Sequence, residues 1–197
     1  AEPSAKVDEA RIATAYFSPE GFARIAPAIA PIPSIKLLLG TDPIPDNERW
    51  QKKLDETEDR FVFRRLRESL TSQEKALRIE RDHIPFKRSS SQAVKQLVSS
   101  LRAGNMEVRR YENNFLHAKA YIFTSTNENN YDEREAVLAG SSNLTAAGLS
   151  SNLELNLGSY DAITVAKAKK WFDKVITRDP HNQMAKTFLA WTQIMDP

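Results

Sequence analysis

Cysteine is absent from the 197 residues, which excludes disulfides, thiolate metal sites and cysteine nucleophiles. Histidine is almost as scarce: His83, His117 and His181 are the whole supply. No stretch approaches the roughly 18 consecutive apolar residues of a membrane span, and the N-terminus lacks a signal-peptide pattern. These absences set the expectation of a cytoplasmic protein without a membrane partner. Charge of one sign is also missing in excess, since a net charge of +2 is too small to imply a nucleic-acid partner by itself.

What is present reads as an ordinary globular chain, 41% apolar and 27% charged, long enough for one domain with a buried core. Basic clusters stand at Arg64-Arg65-Arg67, Arg109-Arg110 and Lys167-Lys169-Lys170. Each makes either a local cationic patch or a solvated face.

Along the chain, Ala10 to Phe17 reads as a short strand, and Ser18-Pro19-Glu20 starts a helix that runs to about Ile29. Ile35 to Leu39 reads as a buried strand and Thr41 to Pro45 as a loop. Asp46 to Leu77 carries apolar residues at helical spacing, as one long amphipathic helix or two shorter ones. A compact helix around Ala93 to Leu101 ends near Gly104. Met106 to Tyr111, Leu116 to Thr124, Ala136 to Ala139 and Asn152 to Leu157 read as strands, with Thr126 to Arg134 an exposed hairpin or loop. Helices at Ala162 to Ile176 and His181 to Met195 close the chain. Strands and helices interleave without a repeat, so the expected fold is one α/β domain over residues 1–197, a mixed β-sheet flanked by helices on both faces as an α/β/α sandwich. The two ends look like cut points, which sets the expectation of a piece of a longer protein.

The chemistry concentrates in one ordered set: His117 and Lys119, then Gly140-Ser141-Ser142-Asn143, then Glu154. On a strand alternate residues face opposite ways, so His117, Lys119, Tyr121 and Phe123 share one face, opposite Leu116, Ala118, Ala120 and Ile122. Asn152, Glu154 and Asn156 likewise share a face opposite Leu153, Leu155 and Leu157. Polar rows among apolar ones are costly to bury unless used or paired. Gly140 frees the backbone to turn, and Ser141 and Asn143 carry donors for an oxyanion. A neutral imidazole at His117 can attack phosphorus and form a phosphohistidine. Lys119 supplies fixed positive charge, and Ser141 and Asn143 supply directed donors for the phosphate oxygens. Glu154 can accept the other ring N–H of a histidine and stabilise its imidazolium form. A second acid must protonate the leaving oxygen, and the chain has no second H-x-K. The symmetry-related His117 of a homodimer is the natural source. No metal or cofactor is expected.

On these residues the segment from His117 to Asn156 resembles the phospholipase D superfamily, whose motif is H-x-K-x4-D-x6-G-S-x-N. His117, Lys119, Gly140, Ser141 and Asn143 match. The motif aspartate is replaced by Thr124, and the stretch before Gly140 is lengthened by Thr126 to Arg134. Both departures fit the nuclease branch, in which a glutamate downstream of the asparagine stands in for the aspartate, as Glu154 does here. The wider chain is similar to PLD-like domains that precede DEAD/DEAH or SNF2-type helicase modules, and to metal-independent restriction endonucleases. That likeness rests on Ala13 to Phe22, Ile35 to Gly40, Gly140 to Thr145 with Gly148-Leu149, and Lys170-Trp171-Phe172. It implies a metal-independent, dimeric nuclease acting on DNA, with the active site at the two-fold interface and a helicase module following in the chain.

Plainer readings stand beside these. Ser141 serves equally as a turn residue, and Ser142 and Thr145 as helix caps. Tyr121 either walls the site or packs in the core. His83 reads as loop structure, His181 as a cap or surface residue, and Trp50, Trp171 and Trp191 as core. Two other functions fit the residues: a catalytically inactive DNA-binding or dimerisation module, favoured by the lost aspartate, and a phospholipase or phosphatidyltransferase. The latter ranks last because no amphipathic membrane-binding helix stands out.

Overall fold

Among the described residues, alternating apolar side chains build a six-stranded mixed sheet. The structure, a computed structural model, describes residues 7–41, 51–83, 88–125 and 135–177, with the side chains at 80–83 and 88–91 excepted. The expected Thr126 to Arg134 loop, the helix from His181 to Met195, most of the Thr41 to Pro45 loop, and His181, Trp50 and Trp191 lie outside the described residues.

Strand β1 (Glu9–Thr14) pairs in parallel with β2 (Ser34–Leu39), which pairs in parallel with β3 (Met106–Arg110). On its other side β1 meets β4 (Ala120–Thr124) antiparallel, followed by β5 (Ala136–Gly140) and edge strand β6 (Asn156–Ser159), both antiparallel.

Two cores follow from the pleat. On one face Ile12, Leu37, Leu39, Val108 and Tyr121 pack against helices α1 (Pro19–Ile29) and α3 (Arg88–Ala103) through Phe22, Ala26, Ile29, Leu97 and Leu101. On the other face Ala13, Leu38, Ile122 and Val137 pack against α5 (Ala162–Ile176) through Val165, Phe172 and Ile176. Helices therefore cover both faces, and the α/β/α expectation holds. Ser18 caps α1 as expected, accepting the Gly21 N–H at 3.0 Å, with Pro19 at the first helical position.

Helix boundaries depart from expectation in the middle of the chain. The long helix α2 spans Glu58–His83, so it begins later than Asp46 and ends beyond Leu77. His83 is thus the last residue of a helix rather than part of a loop. Trp171 is 38% exposed and not core. It follows from helical geometry: Val165, Phe172 and Ile176 face the sheet, and a residue one step from Phe172 is turned about 100° around the axis.

The basic clusters resolve largely into ion pairs. Arg64 holds Glu56 and Glu68, Arg65 holds Glu68, Arg109 holds Glu107, Arg110 holds Glu112, and Lys169 holds Glu135. Arg67 lies over the Phe63 ring, 5.2 Å from its centroid. No helix among the described residues is long and apolar enough to cross a membrane.

Candidate active site

Register alone brings the motif residues to one end of the sheet. Ala13 on β1 is opposite Ala120 on β4, Ala120 is opposite Ala139 on β5, and Gly140 is opposite Asn156 on β6. The residues just before β4, just after β5 and just before β6 therefore lie together, beside the segment that leaves β1. Those four segments carry His117 and Lys119, Ser141 to Asn143, Glu154, and Thr14 to Tyr16.

His117 and Lys119 precede the paired part of β4 rather than lying inside it. The expected alternation nonetheless extends back to them. Leu116, Ala118 and Ala120 pack with Ile122 on the α5 side, while Tyr121 and Phe123 belong to the opposite core. His117 is exposed, whereas Lys119 is buried, with 9% of its surface accessible. Lys119 Nζ lies 2.5 Å from His117 Nε2. A Lys119 ammonium can only donate, so this contact is a hydrogen bond when Nε2 is the unprotonated ring nitrogen.

Asn143 is aimed by the end of β1. Its Oδ1 accepts the Tyr16 N–H at 3.1 Å, with the Thr14 hydroxyl at 3.3 Å. Because the Tyr16 N–H can only donate, it faces the amide oxygen, and the NH2 end of Asn143 is turned away and carries two donors for a ligand. Thr14 is fully buried; its hydroxyl donates to the Tyr16 carbonyl at 2.7 Å and accepts the Leu144 N–H at 3.0 Å. A second tie runs from the Ser18 N–H to the Leu144 carbonyl at 3.0 Å. The loop after β5 is thus sewn to the segment after β1.

Gly140 acts through close approach rather than through turning freedom. A Cβ there would lie 2.2 Å from the Leu155 carbonyl oxygen and 2.3 Å from Asn156 Oδ1. The closeness lets Ser141 N–H donate to Leu155 O at 3.0 Å and the Ser141 hydroxyl accept the Leu155 N–H at 3.0 Å. A hydrogen bond from Ser141 is the largest influence holding the Glu154 carboxyl below its ordinary pKa. A bond from Asn152 comes next, and the Lys119 charge adds to both. Ser141, expected on the substrate phosphate, is in this structure engaged with Leu155 and Glu154.

Ser142 caps no helix, contrary to expectation. Its hydroxyl accepts from Asn156 Nδ2 at 2.6 Å, and its carbonyl accepts the Tyr121 hydroxyl at 3.0 Å. Tyr121 is both buried and beneath the site, so its two readings merge. Burial first, and the Glu154 charge second, push its pKa up to about 12. Thr145 does cap the short helix α4 (Ala146–Ser150), accepting the Gly148 N–H at 3.1 Å.

The strand expected at Asn152 to Leu157 is paired only from Asn156, and of the expected polar row Glu154 and Asn156 turn inward while Asn152 is exposed. Glu154 and Asn156 are half-buried, while Leu153, Leu155 and Leu157 are exposed. Leu155 and Leu157 are 72% and 71% accessible, on the face of the sheet that carries Ala139, so this edge carries an uncovered leucine row.

Sequence reasoning did not find Gln73. From α2 its Nε2 donates to the Ala15 carbonyl at 3.0 Å and the Gly40 carbonyl at 3.1 Å, tying the helix to the ends of β1 and β2. Both acceptors are backbone atoms, so the sequence carries no signal of the pairing. Thr14 and Tyr16 were also missed as positioning groups, although Asn156 stood in the polar row.

No curated protein matches the chain in sequence. Among solved structures the chain is similar to Nuc, a phospholipase D family member from Salmonella typhimurium. The identity is 15% over 89% of this chain and 82% of that one, with a TM-score of 0.47. NucT from Helicobacter pylori gives 16% identity, coverage of 89% and 82%, and a TM-score of 0.43. Polyphosphate kinase from Porphyromonas gingivalis gives 11% identity over 91% of this chain but only 23% of the kinase, with a TM-score of 0.45. The family model described as "Cardiolipin synthase, PLD-like domain" matches residues 3–176, which takes in all six strands and the whole of the site. The chain belongs to this PLD-like domain family.

Proposed function

We propose that the protein is a phosphodiesterase that cleaves DNA through a covalent phosphohistidine on His117, without a metal, as a homodimer. The observation that carries this reading is the buried Lys119 ammonium, set against His117 Nε2 and sensed by Glu154, at the sheet end where Asn143 presents its NH2 group.

A non-bridging phosphate oxygen replaces the imidazole as acceptor of the Lys119 proton, which frees the Nε2 lone pair. Nε2 then attacks phosphorus in line, the P–N bond forms and the P–O bond to the leaving strand breaks. Lys119 and Asn143 hold the negative charge that gathers on the equatorial oxygens. Glu154 steadies the imidazolium of a histidine through its ring N–H. The partner's His117 gives its proton to the leaving oxygen, and afterwards takes one from the water that breaks the P–N bond. Ser141, through its hold on Leu155 and Glu154, contributes to the phosphate pocket.

The dimer reading draws on the exposed leucine row of the edge strand next to Glu154, since edge strands and apolar patches left open are ready interfaces. Two in-line displacements give retention of configuration at phosphorus. Cleavage of a phosphorothioate diester of known handedness in isotopically labelled water is expected to retain configuration; inversion contradicts the covalent step.

A further inference from the structure

A groove of about 550 Å³ opens between α2 and the segment leaving β1, lined among others by Tyr16, Arg65, Glu68, Ser69, Ser72 and Gln73. It begins where the phosphate site ends. Tyr16 donates its backbone N–H to Asn143 and also lines the groove, and Thr145, two residues beyond Asn143, lines it from the other side. Its volume falls in the range of small-molecule pockets.

The lining contains one cation and one anion, and they neutralise each other: Arg65 Nη1 lies 2.8 Å from Glu68. The same carboxylate also accepts from Arg64 at 3.0 Å. A second phosphate finds no net positive charge here, so the groove suits a neutral planar group. Tyr16 is 39% exposed and offers an aromatic ring on which such a group can stack, with serine hydroxyls along α2 as adaptable donors and acceptors.

We propose that this groove takes the nucleobase flanking the scissile phosphate, stacked on Tyr16 and edged by Ser69 and Ser72. The proposal rests on reading the neighbouring site as one for a DNA phosphodiester. It makes the base beside the cut, rather than additional phosphates along the strand, the source of binding selectivity on this side.

The test is equilibrium binding, which does not require cleavage, so a silent reaction centre leaves it intact. The full chain carrying His117→Ala, to prevent turnover, is titrated against labelled single-stranded oligonucleotides by fluorescence anisotropy. A phosphorothiolate link marks the scissile position, and the flanking nucleotide either bears its base or is abasic, on the 5′ side or the 3′ side. Ser72 is exposed on α2, so Ser72→Trp fills the groove without disturbing the core. Removing the base on one side is expected to weaken binding about tenfold, the scale of one base–aromatic stack. Ser72→Trp is expected to weaken binding of the intact oligonucleotide by a similar factor and to abolish the difference between the intact and abasic strands. Equal abasic penalties with and without Ser72→Trp overturn the proposal, as does the lack of any penalty or of any binding. Retention of phosphorothioate configuration, by contrast, tests the reaction alone.

Discussion

Gln73 and Asn143 hold the two ends of one peptide group. Gln73 Nε2 donates to the Ala15 carbonyl at 3.0 Å, and the N–H of the same peptide, on Tyr16, donates to Asn143 Oδ1 at 3.1 Å. Hydrogen bonds in such a chain polarise one another, so the outer partner strengthens the inner one. A glutamine on α2 thereby reinforces the bond that orients the Asn143 amide.

Gln73→Met keeps the volume and removes both donors. The expected loss is about tenfold in single-turnover rate, part of the roughly hundredfold or more that follows removal of a whole oxyanion donor. The check is a double-mutant cycle: in an Asn143→Ala background, Gln73→Met is expected to change the rate little. Equal effects in both backgrounds would mean that Gln73 acts on the rate by some other route.

Glu154 is held ionised by Ser141 first, then Asn152 and Lys119, so its pKa lies below the ordinary carboxyl value of 4.5. The folded state favours the carboxylate; its contribution to stability is present above the unfolded pKa and is lost as pH falls through the folded one. Between about pH 5 and pH 8 the group therefore does not titrate. Glu154→Gln is expected to lower cleavage roughly a hundredfold across that range without changing the shape of the pH profile. Disappearance of a titration limb in the variant would assign that limb to Glu154 and contradict this account.

The exposed row on the sheet edge gives a test of the proposed homodimer. Leu155 and Leu157 are more than two-thirds accessible in the single chain, so Leu157→Asp costs its fold little, within about 0.5 kcal/mol. Sedimentation is expected to show dimers for the wild type and monomers for the variant, with cleavage lost alongside the dimer. A dimeric variant, or an active monomer, would remove the leucine row from the site.

Much of this geometry is legible in the sequence because a pleat is periodic. The alternation that separates His117, Lys119 and Tyr121 from Leu116, Ala118 and Ile122 survives even where strand pairing has not begun. Convergence of the three motif segments follows from strand order, which the residues imply only through the family likeness. Exposure of Leu153, Leu155 and Leu157 is not legible, since a leucine row reads the same against a core as on an uncovered edge. Ser142 and Gln73 escape for a related reason. Ser142 looks like a cap until Asn156 is seen to hold it, and Gln73 is one polar residue among many on α2 whose partners are carbonyls from distant strands. Trp171 reads as core from its place among helical apolar positions, but one helical step from Phe172 turns it outward.

In the proposed mechanism His117 itself attacks phosphorus and no metal is needed. The most direct measurement is cleavage of a labelled DNA in excess chelator by the wild type and by His117→Ala at matched concentration. Cleavage by the wild type, undiminished by chelator and abolished by the substitution, is the predicted result; loss of wild-type cleavage in chelator, or an unchanged rate in His117→Ala, contradicts it.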